Sequence, residues 1–191
     1  MVIFKKILFT LLVCACLIVL LNFSFFWQNI RFTFVKPRPA EQAAAGKQTA
    51  ADTLTIDSLG IQAPVIYASG KTEKIFQSAL AGGVVHYPDT ANPGEPGNVY
   101  IFGHSSDLPF SQGNYKTVFA LLPRIKKTAE IKLTDNSGKL YVYTVSQSFM
   151  AAAGDIKYLQ SDASKKILTL QTSYPIGTAW KRWLVIAEIK E

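Results

Sequence analysis

Apolar residues run without a single charge from Ile7 to Ile30, and beyond residue 52 they break into short alternating stretches separated by turn residues. The first pattern, rich in Leu, Ile, Val and Phe, is long enough to cross a hydrocarbon core of about 30 Å as a helix. Phe25, Phe26 and Trp27 near its outer end suit an aromatic anchor at the interface. A cleaved signal peptide is the competing reading, with Lys5 and Lys6 as its basic start. The run exceeds the roughly 7–15 apolar residues of a signal core. It also continues past Val13-Cys14-Ala15-Cys16, where a lipoprotein would turn polar. The pattern therefore predicts an uncleaved N-terminal transmembrane helix.

Residues 36–51, KPRPAEQAAAGKQTAA, have no apolar period and read as a stalk. The second pattern begins at Thr53. Thr53–Ile56 alternates as a half-buried strand does, and Gly60 turns the chain into Ile61–Ile66. Thr72 caps a short helix reaching Leu80, which Gly82-Gly83 stops. Val84–Tyr87 and Val99–Gly103 are brief strands on either side of a long Pro/Gly turn. Tyr115–Leu122 suits one or two helical turns. Ile131–Thr134 and Leu140–Phe149 flank Asp135-Asn136-Ser137-Gly138 as a hairpin. Ile167–Thr172 and Trp183–Ile189 are two more strands. Seven or eight short strands with a few helical turns, no repeat and no βαβ rhythm predict a mostly β domain, a closed barrel or a sandwich with chiefly antiparallel pairing. The expected organisation is an anchor over 1–30, a linker over 31–52 and a β domain over 53–191.

The net charge of +7 raises the question of nucleic acid. Residues 1–51 hold six Lys/Arg and one acid, whereas residues 52–191 hold fourteen and twelve. The basic surplus thus flanks the apolar run, where it can meet anionic membrane lipid. No basic stripe with interleaved aromatics exists to track a phosphate backbone, so nucleic acid is not an expected partner. The positive-inside rule does not orient the span, because Lys5 and Lys6 precede it and Arg31, Lys36 and Arg38 follow it. The two cysteines, Cys14 and Cys16, both fall in the apolar run. The β domain therefore has no disulfide and no thiol nucleophile. No metal-ligand cluster or calcium loop is present in the sequence, and no cofactor is expected.

Candidate chemistry gathers at strand ends. His104 follows an apolar strand and opens a polar loop, in Gly103-His104-Ser105-Ser106. There it is placed for proton transfer near neutral pH, or for a structural bond to loop backbone. His86, before a proline turn, reads as structural. Ser173 ends Thr169-Leu170-Gln171-Thr172-Ser173, where most serines bond only backbone. Arg182 falls on the next strand and either meets a developing oxyanion or is a solvated strand residue.

Three separated motifs now combine. Gly83-Val84-Val85-His86-Tyr87-Pro88-Asp89-Thr90, Pro93-Gly94-Glu95-Pro96-Gly97-Asn98 and Gly103-His104-Ser105-Ser106 resemble, in that order, the central region of bacterial sortases. Thr169–Ser173, Pro175, Gly177-Thr178 and Arg182 resemble the family's Thr-Leu-x-Thr-Cys segment and its arginine strand, and Ile56, Gly60 and Ile61–Val65 its first strands. The resemblance covers roughly residues 53–188. It implies an eight-stranded sortase-like β-barrel with short helices and a His–Cys–Arg site. It also implies cleavage of a Leu-Pro-x-Thr-Gly-like sorting signal of surface proteins and transfer of the acyl group to an amine acceptor, a peptidoglycan precursor or a pilin lysine. Carried over by position, His104 is the acid/base, Arg182 the oxyanion or substrate-orienting group, and Ser173 stands where the family has its nucleophilic cysteine. The family also implies a cytoplasmic N-terminus and an extracellular catalytic domain.

The serine changes the chemistry. A thiol ionises near pH 8.5 and a neighbouring histidine lowers that value. A hydroxyl needs a base in direct contact, usually oriented by a third group. Three functions follow from the sequence: a sortase-like transpeptidase impaired by Ser173, an inactive pseudo-sortase that binds sorting-signal peptides, and a tethered structural or adhesive β domain.

Overall fold

The computed structural model describes residues 2–21, 50–107, 111–160 and 164–190. The chain divides into two compact units, Met1–Val35 and Lys36–Glu191. The first holds helix α1, Val2–Leu21. Among the described residues no helix is long and apolar enough to cross a membrane. The outer part of the expected span, with Phe25, Phe26 and Trp27, and all of the expected linker before residue 50 lie outside the described residues.

The second unit is built on eight strands: β1 Thr53–Ile56, β2 Ile61–Tyr67, β3 Val84–His86, β4 Gly97–Phe102, β5 Glu130–Thr134, β6 Leu140–Ala152, β7 Lys166–Tyr174 and β8 Lys181–Ile189. They close into a barrel in the order β1-β2-β3-β4-β7-β8-β6-β5, which settles barrel against sandwich. Six seams are antiparallel, and β2–β3 and β4–β7 are parallel. The strand alternation explains the core. Leu54 and Ile56 of β1, Ile131 and Leu133 of β5, and Leu168 and Leu170 of β7 are fully buried. Each contributes about 1.5–3 kcal/mol relative to exposure.

The parallel β2–β3 pair is joined by helix α2, Glu73–Gly82, a single βαβ unit in an otherwise chiefly antiparallel barrel. Parallel neighbours need a crossover, and a short helix supplies it. Thr72 caps α2 as its position suggests, its hydroxyl accepting from the Ile75 amide at 3.4 Å. The segment after Tyr115 forms turns that end in a single 3₁₀ turn, Leu122–Arg124, rather than an α-helix. Another 3₁₀ turn, Ile156–Leu159, lies in the β6–β7 connection and was not foreseen. It sets Tyr158 against Phe149 of β6, ring centres 5.3 Å apart, and the Tyr158 carbonyl accepts from the Asn98 amide of β4 at 2.8 Å. This turn is thereby tied to both β6 and β4.

Candidate active site on the outer face of strands 4, 7 and 8

The site begins with a pairing no local sequence pattern announces. Strands β4 and β7 run parallel, with Tyr100 beside Thr169 and Phe102 beside Gln171. Val99, Ile101, Leu168 and Leu170 point inward and are buried. The alternate positions, Tyr100 and Phe102 on β4 and Thr169, Gln171 and Ser173 on β7, therefore share the outer face. The hydrogen bonds agree: Tyr100 donates its hydroxyl to Gln171 Oε1 at 2.5 Å, and Thr169 donates to Asn98 Oδ1 at 2.9 Å. Phe102 meets Phe76 of α2 edge to face at 5.0 Å, and Tyr87 stands 5.6 Å from Phe76, so aromatics wall one side.

Ser173 lies one residue inside the end of β7 and is directly paired with Arg182, the second residue of β8. Directly opposed residues on antiparallel strands project to the same face. The Arg182 guanidinium folds onto the rim, its Nη1 donating to the carbonyls of Ala179 at 3.0 Å and Lys181 at 3.2 Å. Its charge is felt at Tyr100: burial pushes the Tyr100 hydroxyl pKa well up, and Arg182 opposes the rise.

His104 comes just beyond the end of β4, the strand adjoining β7. Its backbone is fixed from two sides. The Gly103 amide donates to the Gln171 carbonyl at 3.1 Å, which carries the β4–β7 ladder one step further, and the Phe119 amide donates to the His104 carbonyl at 2.9 Å. Thr172 locks the same corner by donating its buried hydroxyl to the Gly103 carbonyl at 2.8 Å. Gly103 is required here, because a Cβ would stand 2.8 Å from the ring of the buried Phe119. The next loop is tied in as well, the Gly177 amide donating to Ser106 Oγ at 2.9 Å. Gly177 has φ of 84°, a conformation that favours glycine.

The three residues singled out in the sequence thus sit on β7 and β8 and just beyond the neighbouring β4, at the same end of that part of the barrel. Ser173 and Arg182 are paired by register. No hydrogen bond among the described residues joins Ser173 to His104. The His104 side chain is 16% exposed, with Nε2 3.6 Å from Asp107 Oδ2. Burial lowers its pKa below the ordinary histidine value, and the carboxylates of Asp107 and Glu73 work against that. His86 plays another part. It is 5% exposed, its Nε2 is 2.9 Å from the Ala91 carbonyl oxygen, and its ring lies 4.8 Å from Tyr67. Sequence reading passed over Asp107 and the Tyr100–Gln171 pair. Asp107 carried one signal, an acid in the same loop as the histidine; Tyr100 and Gln171 carried none, being 71 positions apart. Among the described residues no group of His, Cys, Asp and Glu is arranged to hold a metal.

Comparison with known proteins places the fold. A family model described as the sortase domain matches residues 54–190. The fold is similar to that of a sortase D5 transpeptidase from Clostridium perfringens, at 21% identity over 85% of this chain and 93% of that one, with a TM-score of 0.60. It is similar to sortase C1 from Streptococcus suis, at 18% identity over 75% and 74%, with a TM-score of 0.62. Sortase A from Corynebacterium diphtheriae gives 23% identity over 77% and 63%, again with a TM-score of 0.62. No curated protein matches the sequence.

Proposed function

The chain belongs to the sortase family, and on that premise we propose that it is a membrane-anchored transpeptidase acting at Ser173. It cleaves a Leu-Pro-x-Thr-Gly-like sorting signal of a surface protein and passes the acyl group to an amine, on a peptidoglycan precursor or a pilin lysine. The observation that carries this reading is the register pair Ser173–Arg182 on the outer face, next to the strand that ends in His104. A peptide lying along that face would meet a nucleophile, a base and a cation within one corner. Arg182 is the group for charge developing on the scissile carbonyl or for orienting the peptide. The helix at the N-terminus and the apolar run that continues it support a single-pass anchor, N-terminus inside and the β domain outside.

The serine sets the rate. Burial disfavours the imidazolium form of His104, so near neutral pH the ring is a neutral base rather than the cationic half of an ion pair. That suits a hydroxyl nucleophile in kind, but the hydroxyl remains a much poorer nucleophile than a thiolate. The protein turns over sorting-signal peptide slowly. Ser173→Cys raises cleavage of a quenched Leu-Pro-x-Thr-Gly peptide by about 10²-fold or more, and Ser173→Ala removes it. Equal silence from the serine and cysteine forms across a panel of such peptides would refute the assignment.

A second reading, peptide binding without turnover, is favoured by the absence of any hydrogen bond between Ser173 and His104. It predicts that peptide binds in calorimetry while Ser173→Ala leaves every rate unchanged.

A further inference from the structure

The reading above leaves a hydroxyl nucleophile in need of a base that is itself held in place. We propose that Asp107 is the positioning residue for His104, so that Ser173, His104 and Asp107 act in sequence as nucleophile, base and orienting carboxylate. This rests on the acyl-transfer reading and deepens it.

The geometry is specific to this loop. Asp107 Oδ2 lies 3.6 Å from His104 Nε2, and both side chains are mostly buried, 22% and 16% exposed. That separation is longer than a hydrogen bond. In unliganded sites such contacts are often long and tighten when substrate docks. An imidazole that keeps its proton on Nε2, toward Asp107, presents the Nδ1 lone pair as its basic atom. The loop bearing both residues is pinned at the Gly103 and His104 carbonyls and at Ser106 Oγ, so the pair does not rely on a free chain. The carboxylates facing His104 are Asp107, from its own loop, and Glu73, from the start of α2. Burial lowers the His104 pKa and the two carboxylates raise it, Asp107 more than Glu73. The ring therefore stays neutral at rest, and the carboxylate steadies the imidazolium as it forms.

The step balances without a further reagent. Ser173 Oγ bonds to the scissile carbonyl carbon while its proton passes to His104. The tetrahedral adduct then collapses, the C–N bond breaks, and the same proton goes to the departing amine, leaving an ester on Ser173. An incoming amine gives a proton to His104, attacks the ester carbonyl and releases the Ser173 oxygen, which takes that proton back. A cysteine at the same position has less need of Asp107, because a thiol ionises more readily.

The experiment compares Asp107→Asn and Asp107→Ala in the Ser173 protein and in Ser173→Cys. The chain has only two histidines, so ring resonances report His104 directly once His86→Gln assigns the other. The expected results are a lower apparent pKa for His104 in both Asp107 variants and at least a tenfold fall in kcat for peptide cleavage by the serine form. KM should change little, and the loss in the cysteine form should be several-fold smaller. An unchanged His104 titration, or equal losses in both backgrounds, overturns the role of Asp107. Cleavage by the cysteine parent alone overturns it too and leaves the acyl-transfer reading standing. Cleavage by neither parent overturns both.

Discussion

Two polar corners of the barrel are built in opposite ways. At the β5–β6 turn the carboxylate of Asp135 is saturated by its own neighbours. Its Oδ1 accepts from the Ser137 amide at 2.9 Å, the Ser137 hydroxyl at 2.7 Å and the Lys139 amide at 3.0 Å, and its Oδ2 accepts from the Tyr141 hydroxyl at 3.1 Å. Those bonds hold its pKa below the ordinary carboxylate value. At the His104 corner it is the backbone that is secured, through Gly103, Thr172, Phe119 and Gly177. Among the described residues the buried Ser105 hydroxyl has no partner, and His104 Nε2 and Asp107 Oδ2 stand 3.6 Å from each other. Local satisfaction is what a turn needs to fold. A secured backbone that leaves a buried hydroxyl unpaired is what the proposed substrate site needs, because a ligand can supply the missing partner.

Substitutions can break that contrast, and the largest effect should come from Arg182. In the Ser173→Cys background, Arg182→Ala should lower kcat/KM for peptide cleavage by about 10²–10³-fold with little change in melting temperature, as the proposed action on transition-state charge requires. An intermediate effect belongs to Gly103. Gly103→Ala forces a Cβ against Phe119 and should destabilise the domain by about 1–3 kcal/mol. The His104 loop should shift with it, so activity falls more than the fraction folded, as paired denaturant melts and rates would reveal. The smallest effect should be Asp135→Ala. Because the folded pKa of Asp135 is lowered, its contribution is present above the unfolded value of about 3.9 and is lost as pH falls through the folded value. Asp135→Ala should lower the melting temperature above pH 4, narrow its gap from the parent toward pH 2, and leave peptide cleavage unaltered. A loss of cleavage there would erase the distinction between the two corners.

Much of this architecture could be read in advance wherever the signal was local. Thr53–Ile56 has the bounds its alternation predicts, the Asp135–Gly138 turn joins the expected strands, and Thr72 caps the expected helix. Long-range pairing was the part not written locally. The parallel β2–β3 and β4–β7 seams depend on crossovers, and alternation fixes which face a residue takes but not which strand lies beside it. The candidate site divides the same way. His104, Ser173 and Arg182 were found through strand ends and motif order. Tyr100–Gln171, the Thr172–Gly103 lock and the Ile156–Leu159 turn exist only once distant strands meet.

The central claim is that position 173 carries the acyl group on the outer face of strands β4, β7 and β8. Intact-mass spectrometry of Ser173→Cys after mixing with a Leu-Pro-x-Thr-Gly peptide tests it most directly, followed by peptide mapping and addition of a glycine-based amine. The predicted result is one added mass equal to the peptide truncated after Thr, mapped to position 173 and discharged by the amine as a new amide product. Absence of the adduct across a panel of such peptides, or its recovery on any other residue, would contradict the claim.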